Sequence, residues 1–181
     1  MKIILSKKKL IQILKEEKDL GFVPTMGAIH KAHIYIIKKS ISLCKKTIVT
    51  IFINRPQFNE IADYKKYPKN FKRDILLLRK YNIDYLYLPT MKQIYPSGYN
   101  KKIKISSFSK KLCGKSRPGH FESVVDVIDK FIKIIKPNKI FLGKKDMQQL
   151  KIIEEFINKN QINTKIIGCK TIREENGVAC S

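Results

Sequence analysis

The sequence contains the run Thr47-Ile48-Val49-Thr50-Ile51-Phe52-Ile53, in which β-branched and aromatic side chains follow one another almost without interruption. A strand with one face in water alternates apolar and polar side chains, whereas a strand covered on both faces does not need to. The run is therefore typical of a parallel sheet with helices packed on both of its faces.

Strand and helix signals alternate on both sides of this run. Apolar residues recur at helical spacing in the segments 6–18, 31–44, 70–81, 122–136 and 146–159. Further short apolar runs predict strands at 20–24, 84–89, 140–143 and 164–169. The irregular segment 90–120 includes an expected edge strand at 103–105. The repeated strand–helix–strand order predicts an α/β fold, a Rossmann-like doubly wound parallel sheet with helices on both faces.

Three polar clusters come directly after predicted strands, at 25–33, 54–58 and 143–149. The carboxyl ends of parallel strands meet at one edge of a sheet, and ligands bind beyond that edge. We therefore expect the three clusters to meet in one crevice.

The composition limits the class of protein. Of the 181 residues, 43% are hydrophobic, which supplies enough apolar material for a core and excludes intrinsic disorder. The 38 Lys and Arg against 15 Asp and Glu give a net charge of +23, and only five of these cations are Arg. Proteins that read bases favour the planar Arg. We interpret the Lys excess mainly as solvated surface, with attraction to polyanions as the alternative; either way the field favours anionic ligands.

No segment of the sequence predicts secretion or a membrane span. No apolar run approaches the ~18–20 residues that cross a bilayer, and the apolar part of Met1–Leu5 is too short for a secretory signal. The four cysteines lie far apart, without the spacing of a zinc site. This pattern predicts reduced thiols and a cytoplasmic location.

The cluster from Pro24 to His33 carries the strongest chemical signal. It leaves a strand, turns at Gly27 and enters a helix near His30. A helix start presents unpaired N–H groups and partial positive charge, which suit a phosphate group. His30 and His33 lie three residues apart and share one face of the helix, so each can donate a hydrogen bond to phosphate. Two ordinary packed or surface histidines are the weaker alternative, because both residues directly follow a strand end.

The run Gly21-Phe22-Val23-Pro24-Thr25-Met26-Gly27-Ala28-Ile29-His30, with His33 after it, resembles the signature of the pantothenate synthetase (pantoate–β-alanine ligase) family. That family belongs to the HxGH nucleotidyltransferase superfamily, as do the class I aminoacyl-tRNA synthetases. Five further segments match in order, at 51–58, 63–68, 116–121, 141–150 and 171–181. The resemblance therefore covers essentially the whole chain.

The resemblance implies an ATP site. It assigns ATP contacts to Met26, Gly27, Ala28, Ile29, His30, Lys31, Ala32, His33, Gly143, Lys144, Lys145, Asp146, Ile172, Cys180 and Ser181. The implied catalytic residues are His33, as the principal proton donor and phosphate hydrogen-bonder, His30 beside it, and Lys145 as the phosphate's cation. ATP with Mg²⁺ is the implied cofactor.

The resemblance also implies substrate residues. Gln57 and Gln149 would bind pantoate, and Gln57 β-alanine as well, since an amide offers a donor and an acceptor without adding charge. Asp63 falls in a matching acidic segment, but Lys65 replaces its second acid; we favour a helix cap there and assign no metal ligand. His120 is expected to be a packed loop histidine.

The activity implied is ATP-dependent ligation of pantoate and β-alanine to pantothenate through a pantoyl adenylate, with release of AMP and pyrophosphate. The implied partners are these small molecules, in a homodimer, without membrane or nucleic acid. Residues 1–181 would form the nucleotide-binding Rossmann-like domain, and the family's C-terminal lid domain is expected to be absent.

Departures from the family pattern keep an alternative open. Ala32 stands where the superfamily motif has Gly, Lys144 where the family has Glu or Gln, and Cys180 where Met is usual. Ala32, the expected lack of a lid and the charge of +23 leave open a catalytically impaired domain that acts as a basic nucleotide- or nucleic-acid-binding module.

Overall fold

The structure is a computed structural model that describes residues 1–99 and 103–180. Its strands are β1 Lys2–Ile4, β2 Leu20–Thr25, β3 Lys46–Ile51, β4 Tyr85–Tyr87, β5 Lys139–Gly143 and β6 Lys165–Cys169. Its helices are α1 Lys7–Leu14, α2 Lys31–Leu43, α3 Ile61–Lys66, α4 Phe71–Arg79, α5 Met91–Ile94, α6 Cys113–Ser116, α7 His120–Ile135 and α8 Met147–Lys159. Short 3₁₀ turns lie at Arg55–Gln57, Ser107–Lys110 and Lys144–Asp146.

The six strands form one parallel sheet in the order β1-β4-β3-β2-β5-β6. The chain passes from β2 to β3 on one side, and β5 later adds to the other side of β2. The order therefore reverses beside β2, which creates a switch point where the loops after β2 and β5 diverge. Open α/β sheets bind ligands at such a point.

The core lies on both faces of the sheet, as the run at 47–53 predicts. Ile48 and Val49 are both fully buried, and they belong to different apolar clusters. The cluster with Ile48 contains residues of α1, α7 and α8, and the cluster with Val49 contains residues of α2 and α4. The Rossmann-like doubly wound fold is therefore confirmed.

Some expected elements differ from those observed. The edge strand at 103–105 is wrong: residues 103–106 form no regular structure, and Ile103 and Ile105 pack against the core instead of pairing with a strand. The sheet has its edges at β1 and β6, and the three residues of β1 are too few to show a periodicity. Over the part of the chain described, no helix has both the length and the apolar character needed to cross a bilayer.

Candidate active site

Two cavities lie side by side beyond the carboxyl ends of β2 and β5. The histidine cavity, about 160 Å³, is lined by His30, His33, Lys145 and the segment after β6. The glutamine cavity, about 220 Å³, is lined by Gln57, Asn54, Tyr67 and part of α7. Five residues line both cavities and form a shared wall: Pro24, His33, Leu142, Asp146 and Gln149. The three polar clusters that follow strands thus meet in one crevice.

The histidine cavity is electropositive. Two 13-residue helices begin at its wall, α2 with His30 at its N-cap and α8 with Asp146 at its N-cap, and each contributes partial positive charge. Lys145 and Lys170 also line it. Lys145 Nζ lies 3.8 Å from Asp146 Oδ1, a loose contact, and Asp146 is the one acidic residue among the lining residues of either cavity. This arrangement suits a phosphate-bearing ligand.

His33 faces the cavity as a neutral hydrogen-bond donor. The backbone N–H of His30 donates to His33 Nδ1 at 3.4 Å, so the proton of the neutral ring is assigned to Nε2. Burial, and to a smaller extent the nearby His30 and Lys145, lower the pKa of His33 to about 4. At neutral pH this residue therefore offers an N–H to a ligand without carrying a charge.

His30 packs against His33, with ring centroids 4.0 Å apart. Burial, and then the charge of Lys145, lower the pKa of His30. Its Nδ1 atom is buried and has no hydrogen-bond partner in the structure. A buried polar atom without a partner is costly, so this nitrogen marks a place for a ligand or a water molecule.

The loop Gly27–Ile29 lies behind the histidines and not in the cavity wall. The backbone N–H groups of Ala28 and Ile29 donate to the two carboxylate oxygens of Asp74, each at 2.9 Å. They are therefore not free to bind phosphate, although the resemblance implies ATP contacts for all three loop residues. Met26, just before the loop, lines the glutamine cavity.

Two lysines with implied ATP contacts line neither cavity. Lys31 forms an exposed ion pair with Glu174. The side chain of Lys144 lies along Gly168 of β6. Lys145, by contrast, lines the histidine cavity, as do Ala32 and Gly143.

The segment after β6 closes one side of the histidine cavity. Lys170, Thr171, Ile172 and Cys180 line it, and the Cys180 N–H donates to the Ile172 carbonyl at 2.9 Å. A bridge between Arg173 and Ala179 turns the segment back on itself. The contact implied for Ser181 lies outside the described residues.

A fixed hydrogen-bond network orients Gln57 in the glutamine cavity. The Asn54 side chain is 1% exposed, and its Nδ2 donates to the Ser123 carbonyl and to Gln57 Oε1, both at 3.1 Å. Tyr95 donates to Asn54 Oδ1 at 2.9 Å. Because a backbone carbonyl can only accept, Asn54 cannot flip. Gln57 Nε2 is consequently directed toward Met26 Sδ, 3.1 Å away, and the network presents an N–H donor at the cavity.

The rest of the glutamine cavity is largely apolar. Phe52, Val124, Val127, Ile128 and Phe131 line it. Tyr67 adds a hydroxyl, and burial raises the pKa of that phenol, which keeps it neutral. Such a site suits a small acid with a branched aliphatic body.

Two neighbouring residues support this site. His120 is 6% exposed, and its Nδ1 lies 2.8 Å from the Gln57 carbonyl, so it is the packed histidine that we expect. Gln148 is bonded to Phe108, Lys111 and Cys113, and it holds that segment in place, whereas Gln149 faces both cavities.

The residues lining the cavities do not build a cage for a metal ion. Within residues 1–99 and 103–180, no group of three His, Cys, Asp or Glu side chains is placed to hold one. Asp146 is the one carboxylate in the shared wall of the two cavities. Mg²⁺ prefers to keep waters and to bind phosphates with one or two carboxylates, so it fits this site only as part of a magnesium–ATP substrate.

The sequence reasoning does not identify the roles of Asn54 and Asp74. Asn54 comes shortly after the end of β3, which places it at the ligand edge, but nothing in the sequence shows that it orients Gln57. Asp74 lies inside an amphipathic helix, and its spacing gives no sign that it reaches the loop after β2.

The switch point, the two helix N-termini and the paired histidines define a Rossmann-like domain of the class that binds phosphate-bearing ligands beyond the carboxyl edge of its sheet. A family model described as pantoate-β-alanine ligase matches residues 2–181. The chain is 40% identical over 174 residues to pantothenate synthetase of Pseudothermotoga lettingae, and 44% over 165 residues to that of Leptospira interrogans. These matches cover 96% and 91% of this chain. The chain belongs to the pantoate–β-alanine ligase family.

Solved structures agree with this assignment. The chain aligns over its whole length with pantoate-β-alanine ligase of Francisella tularensis, complexed with β-γ ATP and β-alanine, at 40% identity and a TM-score of 0.94, covering 71% of that chain. Pantothenate synthetase of Thermus thermophilus aligns at 29% identity and a TM-score of 0.95, covering 66% of that chain. Our chain spans 62% and 58% of the length of the two curated relatives named above.

Proposed function

We propose that this chain binds ATP in the histidine cavity and pantoate in the glutamine cavity, and that it joins them as pantoyl adenylate. β-Alanine then completes the synthesis of pantothenate. The observation that carries the proposal is the shared wall, because His33 and Gln149 line both cavities. A nucleotide and an acid held there would have their reacting groups side by side.

In the first step a pantoate carboxylate oxygen attacks the α-phosphorus of ATP. A bond forms between them, the bond from that phosphorus to the bridging oxygen breaks, and pyrophosphate leaves. His33 donates its Nε2–H to a phosphate oxygen, and Lys145 together with the N-terminus of α2 stabilises the charge that accumulates. Gln57 and Gln149 hold the acid so that attack occurs from a fixed position.

In the second step the amine of β-alanine attacks the carbonyl carbon of the acyl adenylate. A C–N bond forms, the bond from carbon to the adenylate oxygen breaks, AMP leaves, and the amine loses a proton. Neither step requires a covalent bond to the protein. Gln57 directs its Nε2–H into the glutamine cavity, where it supplies a polar contact for the incoming β-alanine.

Residues 1–181 would be the nucleotide-binding domain of this enzyme. A homodimer and a cytoplasmic location are part of the same proposal, the first from the family resemblance and the second from the scattered cysteines. Analytical ultracentrifugation tests the dimer directly.

The decisive experiment is isotope exchange between pyrophosphate and ATP, with and without pantoate. It reports the first step without β-alanine, and pantoate-dependent exchange is expected. His33→Ala and Gln57→Ala should each abolish the exchange, while Glu155→Gln, on the exposed side of α8, should leave it unchanged. ATP binding without any exchange, or exchange that persists in His33→Ala, contradicts the proposed function.

A further inference from the structure

Asp74 lies behind the histidine cavity, on the first turn of α4, with only 1% of its surface exposed. Its Oδ2 accepts the Ala28 N–H and its Oδ1 accepts the Ile29 N–H, each at 2.9 Å. Among the ion pairs within 4.0 Å found over residues 1–99 and 103–180, none involves this carboxylate. Each oxygen of this buried carboxylate thus accepts a hydrogen bond from one of two consecutive backbone N–H groups.

The loop that accepts this support has an unfavourable backbone. Gly27 and Ala28 have φ values of +89° and +50°, the left-handed region that a residue with a Cβ rarely enters. A Cβ on Gly27 would lie 3.0 Å from Asp74 Oδ2, so the loop is pressed against the carboxylate. The backbone N–H groups of Ala28 and Ile29 point toward Asp74, and its carboxylate accepts a hydrogen bond from each.

The shape of this loop decides where the histidines lie. His30 follows Ile29 directly, caps α2 and donates its backbone N–H to His33. Asp74 lines neither cavity, so it does not touch a ligand held there. We propose that Asp74 is a positioning residue, which holds the loop Gly27–Ile29 in the shape that delivers His30 and His33 to the nucleotide. This inference rests on the proposed function, because it takes ATP as the nucleotide.

Asp74→Asn tests the proposal with little change of shape. The amide that replaces the carboxylate has one oxygen and one NH₂ group, so one of the two loop N–H groups loses its acceptor and meets a donor. ATP affinity, measured by calorimetry well below the melting temperature, is expected to fall about tenfold or more, since small displacements of positioned groups are costly. Glu155→Gln removes a carboxylate charge from an exposed helix face and should leave the affinity unchanged.

The titration of His33, followed by NMR without any nucleotide, separates positioning from mere structural support. Its pKa of about 4 depends on burial, so a displaced loop in Asp74→Asn should raise it toward 6.5. A variant that only melts earlier, with the His33 titration unchanged, overturns the proposal. If the unmodified protein does not bind ATP but the titration still shifts, the proposed function fails while the positioning role stands.

A measurement on the unmodified protein covers the case in which Asp74→Asn does not fold. Hydrogen exchange of the Ala28 and Ile29 amides should be as slow as that of buried sheet amides, because both are bonded to a buried acceptor. Exchange at the rate of an exposed loop overturns the proposal.

Discussion

At the scale of single residues, the site depends on which of two neighbours faces the ligand. Gln148 and Gln149 are identical in the sequence, yet one is bonded to the segment 107–113 and the other lines both cavities. Lys144 and Lys145 divide in the same way, one along Gly168 and the other in the histidine cavity. The direction in which a side chain leaves its helix or turn decides whether it faces the ligand, and only the packed structure fixes that direction.

His33 gives a prediction about pH. In the unfolded chain it binds a proton near pH 6.5, whereas in the folded chain burial delays protonation to about pH 4. Between these values the unfolded state binds more protons, so stability falls as the pH is lowered. For one such group the loss reaches about 2 kcal/mol by pH 5.

Urea unfolding of the unmodified protein and of His33→Gln at pH 7, 6 and 5 measures this contribution. The unmodified protein should lose more stability than the variant as the pH falls. The lowered pKa values of His30 and His120 add a slope of the same sign to both proteins. Parallel losses in the two proteins would show that His33 titrates like an ordinary histidine.

At the scale of elements, most of the sheet is predictable because its strands have strong local signals. The apolar runs at 20–24, 47–53 and 140–143 correspond to the observed strands β2, β3 and β5. β1 has too few residues for a pattern, and 103–106 has an apolar pattern that serves packing without pairing. The hydrogen bonds from the loop after β2 to Asp74 of α4 join residues that are 45 and 46 positions apart in the sequence. No local sequence pattern encodes such a contact.

The packing of α2 on β2 gives a second prediction, through Gly21. A Cβ at this position would lie 2.2 Å from Ser40 Oγ and 2.9 Å from Cys44 Sγ. Ser40 is itself fully buried and bonded to Thr47 at 2.9 Å, so it cannot move aside freely. Gly21→Ala should therefore cost about 1–3 kcal/mol in urea unfolding, as overpacking usually does.

The matched control is Gly168→Ala, on β6. Its Cβ would lie 3.1 Å from Lys144 Cε, on a side chain that can swing away, and 3.3 Å from Cδ2 of the buried Leu150, which needs to shift by only a few tenths of an ångström. The expected cost is less than about 1 kcal/mol. Equal losses for the two substitutions would mean that α2 is not packed on β2 as closely as described.

At the scale of the whole molecule, the dominant feature is the net charge of +23. Seven ion pairs are found over residues 1–99 and 103–180, and exposed pairs contribute about 0.2–1 kcal/mol each. The remaining cations repel one another, which opposes the compact state. The ion pairs act at contact distance and the repulsion acts across the molecule, so the dependence of stability on salt concentration distinguishes the two effects.

The last prediction follows from that separation. A chain of this length has a radius of gyration of about 16 Å, while the Debye length is about 30 Å at 0.01 M salt and about 8 Å at 0.15 M. Screening therefore removes repulsion across the molecule first and leaves ion pairs in direct contact. The melting temperature should rise as NaCl increases over this range, and equally in KCl, since the effect is one of ionic strength. A melting temperature that stays flat would mean that the ion pairs balance the repulsion, and one that falls would mean that they outweigh it; either result contradicts the prediction.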